Sequence, residues 1–233
     1  MINVLGLNIH YLDFFAILWF FVVWVGYSAF ADRHQGESLV SSMHKHRVNW
    51  MNSMIRRDDR LVDIRIIASL LQSATFFAST SILIIGGLFA LLGYGNKALE
   101  LLNLLPFAEH MSLDMWIIKT LCLLLIFVFA FFKFTWVIRQ FNYSIVLVIS
   151  APKLNDKDSS SEDKENADRY IENISDMISN SGKHFNKGMR SYYFGLVAIC
   201  WYLSPVLLMI FSIVVVLVLY RREFLSRTLK FLE

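Results

Sequence analysis

The sequence predicts an all-α fold: a polytopic membrane bundle of four transmembrane helices with cytoplasmic helical extensions. Three observations carry the prediction. Apolar residues make up 56% of the 233, against about 45–50% in soluble domains, and charged residues 18% against about 25%. Four apolar runs are long enough for the ~20 helical residues that a bilayer requires. Between those runs, Lys and Arg alternate from scarce to abundant, as the positive-inside rule expects. A mean hydropathy of +0.51 agrees with this class. Three Pro, 10 Gly, 2 Cys and long apolar stretches exclude collagenous, disulfide-rich and wholly disordered chains, and a net charge of +3 is too small to argue for nucleic acid.

The runs cover residues 11–31, 66–92, 113–137 and 192–220, within a single membrane domain over 1–233. Each is rich in Leu, Ile, Val and Phe, and in lipid only a helix satisfies such a backbone internally. In the first, Ala29-Phe30-Ala31 imitates a signal-peptidase site, but residues 1–12 contain no Lys or Arg. That run is therefore expected to be a signal anchor or an ordinary span. Residues 32–65 carry seven basic side chains, residues 93–112 carry Lys97 alone, and residues 139–190 carry eight. This pattern places the N-terminus outside and both large loops in the cytoplasm.

The tail disagrees. Four spans return the C-terminus outside, yet Arg221, Arg222, Arg227 and Lys230 follow the last one. A re-entrant turn at Ser204-Pro205 would bring the tail inside. However, the 29 residues of 192–220 are too few for two crossings, and one Pro in a membrane helix is tolerated as a kink, so four spans are expected.

Two cytoplasmic helices are expected, over about 38–65 and 167–187. In the first, Leu39, Val40, Met43, Trp50, Met51, Met54, Leu61 and Val62 recur at helical spacing. No Gly or Pro separates it from the second span, so the pattern allows one helix from Ser38 to Leu92, about 80 Å long. Large apolar side chains such as Trp50, Met51 and Met54 require a partner surface. Residues 153–166 are polar except for Leu154 and read as a flexible linker. Beyond it Tyr170, Ile171, Ile174, Met177, Ile178 and Phe185 form the second amphipathic stripe, with Gly182 or Gly188 as its stop.

No catalytic, cofactor or metal motif emerges. All six His lie outside the spans, and His44 and His46 project about 200° apart on a helix, so they cannot share a metal. Cys122 and Cys200 are embedded in spans as small hydrophobes. Asp58, Asp59 and Asp63 lie among arginines and read as mutual neutralisation.

The second span is the most informative. Ala68, Gln72, Thr75, Ser79, Leu83, Gly86 and Ala90 follow one another by 4, 3, 4, 4, 3 and 4 residues, a heptad seam of small or polar side chains apart from Leu83. In lipid such a seam lets helices approach closely and form hydroxyl bonds. Plain packing is the simplest reading. The sharper one is a hydrated path lined by Gln72, Thr75 and Ser79, with Gly86 on the same face. In the third span, Lys119 is expected to snorkel outward or to pair with Asp114. Lys133, among Phe131, Phe132, Phe134 and Trp136, marks an interfacial belt. With Arg139 it is a candidate contact for anionic lipid headgroups.

Several strings resemble a known family. They are His46-Arg47-x-x-Trp50-Met51-x-x-Met54-x-x-Arg57, Phe76-Phe77-Ala78-Ser79-Thr80-Ser81, and Ala130-Phe131-Phe132-Lys133-Phe134-x-Trp136. Arg139-Gln140-Phe141-Asn142-Tyr143, Tyr192-Tyr193-Phe194-Gly195, Pro205 and Leu219-Tyr220-Arg221-Arg222-Glu223-Phe224 extend the likeness over nearly the whole chain. It resembles the bacterial and plant membrane-protein family catalogued as domain of unknown function 599. The polar segment near Ser159 fits least. The resemblance implies a polytopic helical protein without a known activity, and it brings no catalytic residues or cofactor. Three classes remain: a non-enzymatic homo-oligomer with channel character, an accessory or scaffold subunit bound to an unlike membrane subunit or to anionic lipid, and a membrane enzyme with an unrecognised site.

Overall fold

A computed structural model describes residues 2–4, 7–9, 11–34, 39–104, 111–155 and 160–226. His10, His110, Ser159, Arg227 and Lys230 lie outside them. The described helices are α1 (Tyr11–Arg33), α2 (Leu39–Met54), α3 (Leu61–Gly93), α4 (Gly95–Asn103), α5 (Leu113–Ser150), α6 (Ser161–Ile199) and α7 (Pro205–Phe224). A 3-10 turn over Cys200–Tyr202 links α6 to α7. Before α1, strands β1 (Ile2–Val4) and β2 (Leu7–Ile9) pair antiparallel with Asn3 opposite Asn8, a short hairpin added to the expected helices. Four helices are long and apolar enough to cross a bilayer: α1, α3, α5 and α7.

The chain divides into two compact units, to both of which α3, α5 and α6 contribute. The first comprises Met1–Arg33, Ser79–Phe131 and Gly188–Glu223; the second comprises His34–Ala78, Phe132–Lys187 and Phe224–Glu233.

The second unit is built on the amphipathic stripes. Met51 and Met54 of α2 are fully buried, together with Ile67 and Ala74 of α3, Val137 and Val148 of α5, and Ala167, Ile174 and Ile178 of α6. The continuous 38–92 helix is not formed: α2 stops at Met54 and α3 begins at Leu61. Three interactions make the break, two of them local and the third from a remote part of the chain. Asp59 accepts the Leu61 amide at 2.8 Å and caps α3. Arg57 donates to Met54 O through its amide and to Asp63 through its guanidinium. The Arg60 guanidinium donates to the carbonyls of Val148, Ala151 and Pro152, closing the C-terminus of α5. A straight helix would leave Met51 and Met54 without this core, which is why the turn wins.

The 153–166 linker also changes. Residues 156–159 lie outside the described residues, but from Ser161 onward the segment is helical. Ser160 and Asp163 form a reciprocal cap: the Asp163 amide donates to Ser160 Oγ at 3.1 Å, and the Ser160 amide donates to Asp163 Oδ2 at 2.9 Å. Neither Gly182 nor Gly188 stops α6, which continues to Ile199.

This continuation overturns the expected single helix over 192–220. In the first unit, Trp19 Nε1 donates to Ser212 Oγ at 3.2 Å and Tyr27 Oη donates to Glu223 at 3.0 Å, so α1 and α7 run parallel. The end of α6 runs against both, with Phe194 packed on Phe20 and Trp24, and Trp201 meeting Asp13. The chain therefore reverses at 200–204, where the amides of Leu203 and Ser204 both return to Cys200 O. Glu223 consequently lies at the end of the unit where α1 finishes. The length argument fails because the rising leg starts before residue 192. Gly188 to Tyr202 rises about 22 Å and α7 descends about 30 Å. Gly195 fits this leg closely against α5: a Cβ there would stand 2.9 Å from Phe127 Cζ.

Candidate membrane association surface and buried ion clusters

α3 has two stripes of different character. Ile67, Ala74, Ala78, Ser81 and Leu88 are buried, with Leu71 and Ile85 half-buried between them, at spacings of 4, 3, 4, 3, 4 and 3. This stripe packs within the protein, and Ser81 Oγ lies 2.8 Å from Tyr192 Oη. The seam read from the sequence is the other stripe. Ala68, Gln72, Thr75, Ser79, Leu83, Gly86 and Ala90 are all exposed, Leu83 at 75%. A Cβ added at Gly86 or Gly87 would meet nothing within 4 Å. Thr75 Oγ1 donates to Leu71 O at 3.0 Å and so satisfies its hydroxyl within α3. Among the described residues the seam is the exposed stripe of α3, opposite the one that packs on the buried core.

Lys133 and Arg139 are not brought together. Six residues along a helix turn the second about 240° from the first. Lys133 is half-buried and Arg139 exposed.

Lys119 neither snorkels nor pairs with Asp114. Its Nζ is buried 3.1 Å from Asp13 Oδ1, donates to Trp201 O at 2.9 Å, and lies 5.1 Å from the Trp201 ring centroid. Trp201 Nε1 donates to Asp13 at 2.8 Å. The carbonyl released where α6 breaks is thus answered by the ammonium, and the ammonium by a carboxylate. Thr120, beside it, lies 2.7 Å from Tyr202 Oη. The signal for this site is Asp13, the acidic residue at the start of the first span, to which hydropathy and spacing assign no role.

At the opposite end of the first unit lies a second cluster that sequence reasoning missed. Arg190 is buried; its Nε and Nη2 donate to the two oxygens of Glu223 at 3.0 Å each, and Nη1 to Asp32 at 3.3 Å. Tyr27 Oη donates to the same Glu223, and Arg222 Nη1 donates to Tyr193 Oη at 2.6 Å. Only the reversal at 200–204 brings Arg190 and Glu223 to one level.

In the second unit, Asp63 is fully buried and accepts from Trp50 Nε1 at 2.6 Å and Arg57 Nη1 at 3.1 Å, while Asp58 pairs with Lys153. The acidic residues among arginines thus divide into a buried acceptor, an exposed ion pair and a helix cap. On the other side of this unit, Ser179 Oγ of α6 lies 3.0 Å from His44 Nδ1 and accepts from Arg47 Nη1 at 3.2 Å. Burial pulls the Arg47 guanidinium below its usual range. Among the described residues no three His, Cys, Asp or Glu converge as a metal site.

Apolar helices of bilayer length, neutralised charges buried in them and an exposed apolar periphery define a polytopic helical membrane protein. The family model for DUF599, described as a protein of unknown function, matches residues 15–228. The chain belongs to that family. No curated protein and no solved structure matches it.

Proposed function

We propose that the protein is a non-enzymatic component of a bacterial inner membrane that self-associates through the exposed seam of α3, with channel character around that helix. The observation that carries this reading is the position of Gln72 and Ser79. Both are exposed on a helix of membrane-spanning length and composition. Lipid offers the Ser79 hydroxyl no hydrogen-bond partner, whereas a second copy of the chain does, and Gly86 lets that copy approach. In a closed ring of copies, Gln72, Thr75 and Ser79 line the axis.

The basic loops orient this assembly. With residues 32–65 and 139–190 in the cytoplasm, α1 enters from the outside. The pairing of Glu223 with Arg190, and of Arg190 with Asp32, supports a cytoplasmic end for α7 as well. Arg221 and Arg222 then obey the positive-inside rule instead of breaking it.

Because Ser79 touches no buried core, Ser79→Leu tests the interface without disturbing the monomer. The variant should weaken the oligomer by about 1–3 kcal/mol, the usual scale of overpacking. Ile84→Leu, off the seam, should leave it intact. Native mass of the detergent-extracted proteins reads both. A monomeric parent, an unlike subunit in place of a second copy, or an unchanged Ser79→Leu oligomer refutes self-association. A parent oligomer that passes no ions in liposomes refutes the channel alone.

A further inference from the structure

Among the described residues the two buried cations each have a counter-charge: Lys119 has Asp13, and Arg190 has Glu223 and Asp32, while the exposed Arg57 pairs with Asp63. Arg60 reaches three carbonyls at the end of α5. Arg47 is different. It is half-buried, and among the described residues its one side-chain bond goes to Ser179 Oγ of α6 and no carboxylate stands within ion-pair distance of it. Lys183 shares this condition: it is half-buried and, among the described residues, makes no ion pair. Four positions beyond Ser179, it stands one turn along the same face of α6.

Gly182 presents no side chain to the guanidinium, which passes over it closely enough that a Cβ built there would stand 3.5 Å from Arg47 Nη2, at ordinary van der Waals contact. His44 adds a ring nitrogen 3.0 Å from Ser179 Oγ. The acidic group nearest this ring is Asp176, whose Oδ1 lies 3.9 Å from His44 Nδ1 and whose side chain is 67% exposed. One exposed carboxylate against two half-buried cations leaves a local positive excess. A guanidinium removed from water without a counter-charge is costly, and a planar donor fork matches the paired oxygens of a phosphate.

We propose that Arg47, Lys183, His44 and Ser179 form a phosphate-binding site between α2 and α6, taken by the headgroup of an anionic lipid. The level of the site selects lipid over a soluble phosphate. His184, next to Lys183, packs its ring 6.4 Å from that of Trp136, an exposed indole on α5. An exposed Trp beside basic residues at the end of an apolar run is where a headgroup layer is found. The proposal rests on the membrane orientation given above but not on self-association.

The test uses the full chain in nanodiscs of phosphatidylcholine, alone or with about 30 mol% phosphatidylglycerol added. Thermal unfolding and lipid retention in native mass spectra are the readouts. Phosphatidylglycerol should raise the melting temperature and remain bound, and Arg47→Gln or Lys183→Gln should each weaken that response about ten-fold. Arg47→Lys should keep part of it, and Arg65→Gln, on the exposed side of α3, all of it. Should Arg47→Gln fail to fold, Lys183→Gln decides. Inorganic phosphate titrated into phosphatidylcholine discs separates the sources. Saturation by phosphate, with nothing added by phosphatidylglycerol, overturns the lipid assignment. No response to either, or an undiminished response in Lys183→Gln, overturns the site.

Discussion

In the first unit, buried cations meet carboxylates supplied by distant parts of the chain: Lys119 meets Asp13, and Arg190 meets Asp32 from 158 positions away. In the second unit, Arg57 reaches Asp63 only six positions along, Arg60 settles on carbonyl oxygens, and Arg47 has a hydroxyl. The difference follows the surroundings. The first unit holds the ends of the apolar helices, where a bare charge has no water and only an opposite full charge offsets its desolvation. The second unit carries the amphipathic helices, whose polar faces keep water near Arg57 and Arg60, so a nearby carboxylate or the carbonyls of a helix end suffice there, and Arg47 is the exception that the proposed headgroup would answer.

The largest expected effect lies in the first unit. Arg190→Met leaves Glu223 and Asp32 facing each other without their cation, and should cost about 3–5 kcal/mol, the scale for breaking one side of a buried pair. Unfolding by SDS titration in mixed micelles measures it. A loss below about 1 kcal/mol, the range of exposed ion pairs, would mean that water reaches the cluster and that the two units do not differ in kind.

A smaller loss is expected from Arg60→Gln in the second unit. Hydrogen bonds from a charged donor are worth about 1.5–3 kcal/mol, and no carboxylate is stranded when they go. The damage should be local, with faster amide exchange over residues 148–151 and little change in α1. If Arg60→Gln destabilises the protein as much as Arg190→Met, the guanidinium is anchoring the unit and not merely closing a helix end.

The smallest effect is a matter of pH. Hydrogen bonds from the Ser160 hydroxyl and amide hold the Asp163 carboxyl below its usual range. With the folded value depressed, the cap contributes fully above the usual carboxylate range and is lost as pH falls through that range toward the folded value. The Cα chemical shifts of residues 161–164 should move toward coil on acidification, and Asp163→Asn should abolish the pH dependence. Shifts that move equally in the variant would assign the change to the neighbouring Glu162 and Glu165.

Much of this organisation is legible in the amino-acid sequence. Hydropathy runs locate the cores of α1, α3 and α5, and periodicity finds Met51, Met54, Ile174 and Ile178, all fully or almost fully buried. The heptad at Gln72, Thr75, Ser79 and Gly86 marks a real face of α3, although spacing alone does not say whether a face turns toward the protein or away from it. A second heptad of similar regularity, from Ile67 to Leu88, occupies the buried side. Both stripes obey the helical period, so only the positions of neighbouring helices separate them.

Composition, apolar run length and helical spacing depend on residues close together in sequence, and these determined the membrane class, the amphipathic helices and the content of the seam. The break between α2 and α3, the passage of α6 through Gly182 and Gly188, and the reversal before Pro205 were decided by tertiary structure. Each is stabilised by contacts from remote parts of the chain: Arg60 on the end of α5, Arg190 on Glu223 and Asp32, Lys119 on Asp13 and Trp201. A charge inside an apolar run reads as a cost until its partner is known, and that partner is chosen by tertiary packing, because the Coulomb energy depends on distance in space and not on separation along the chain.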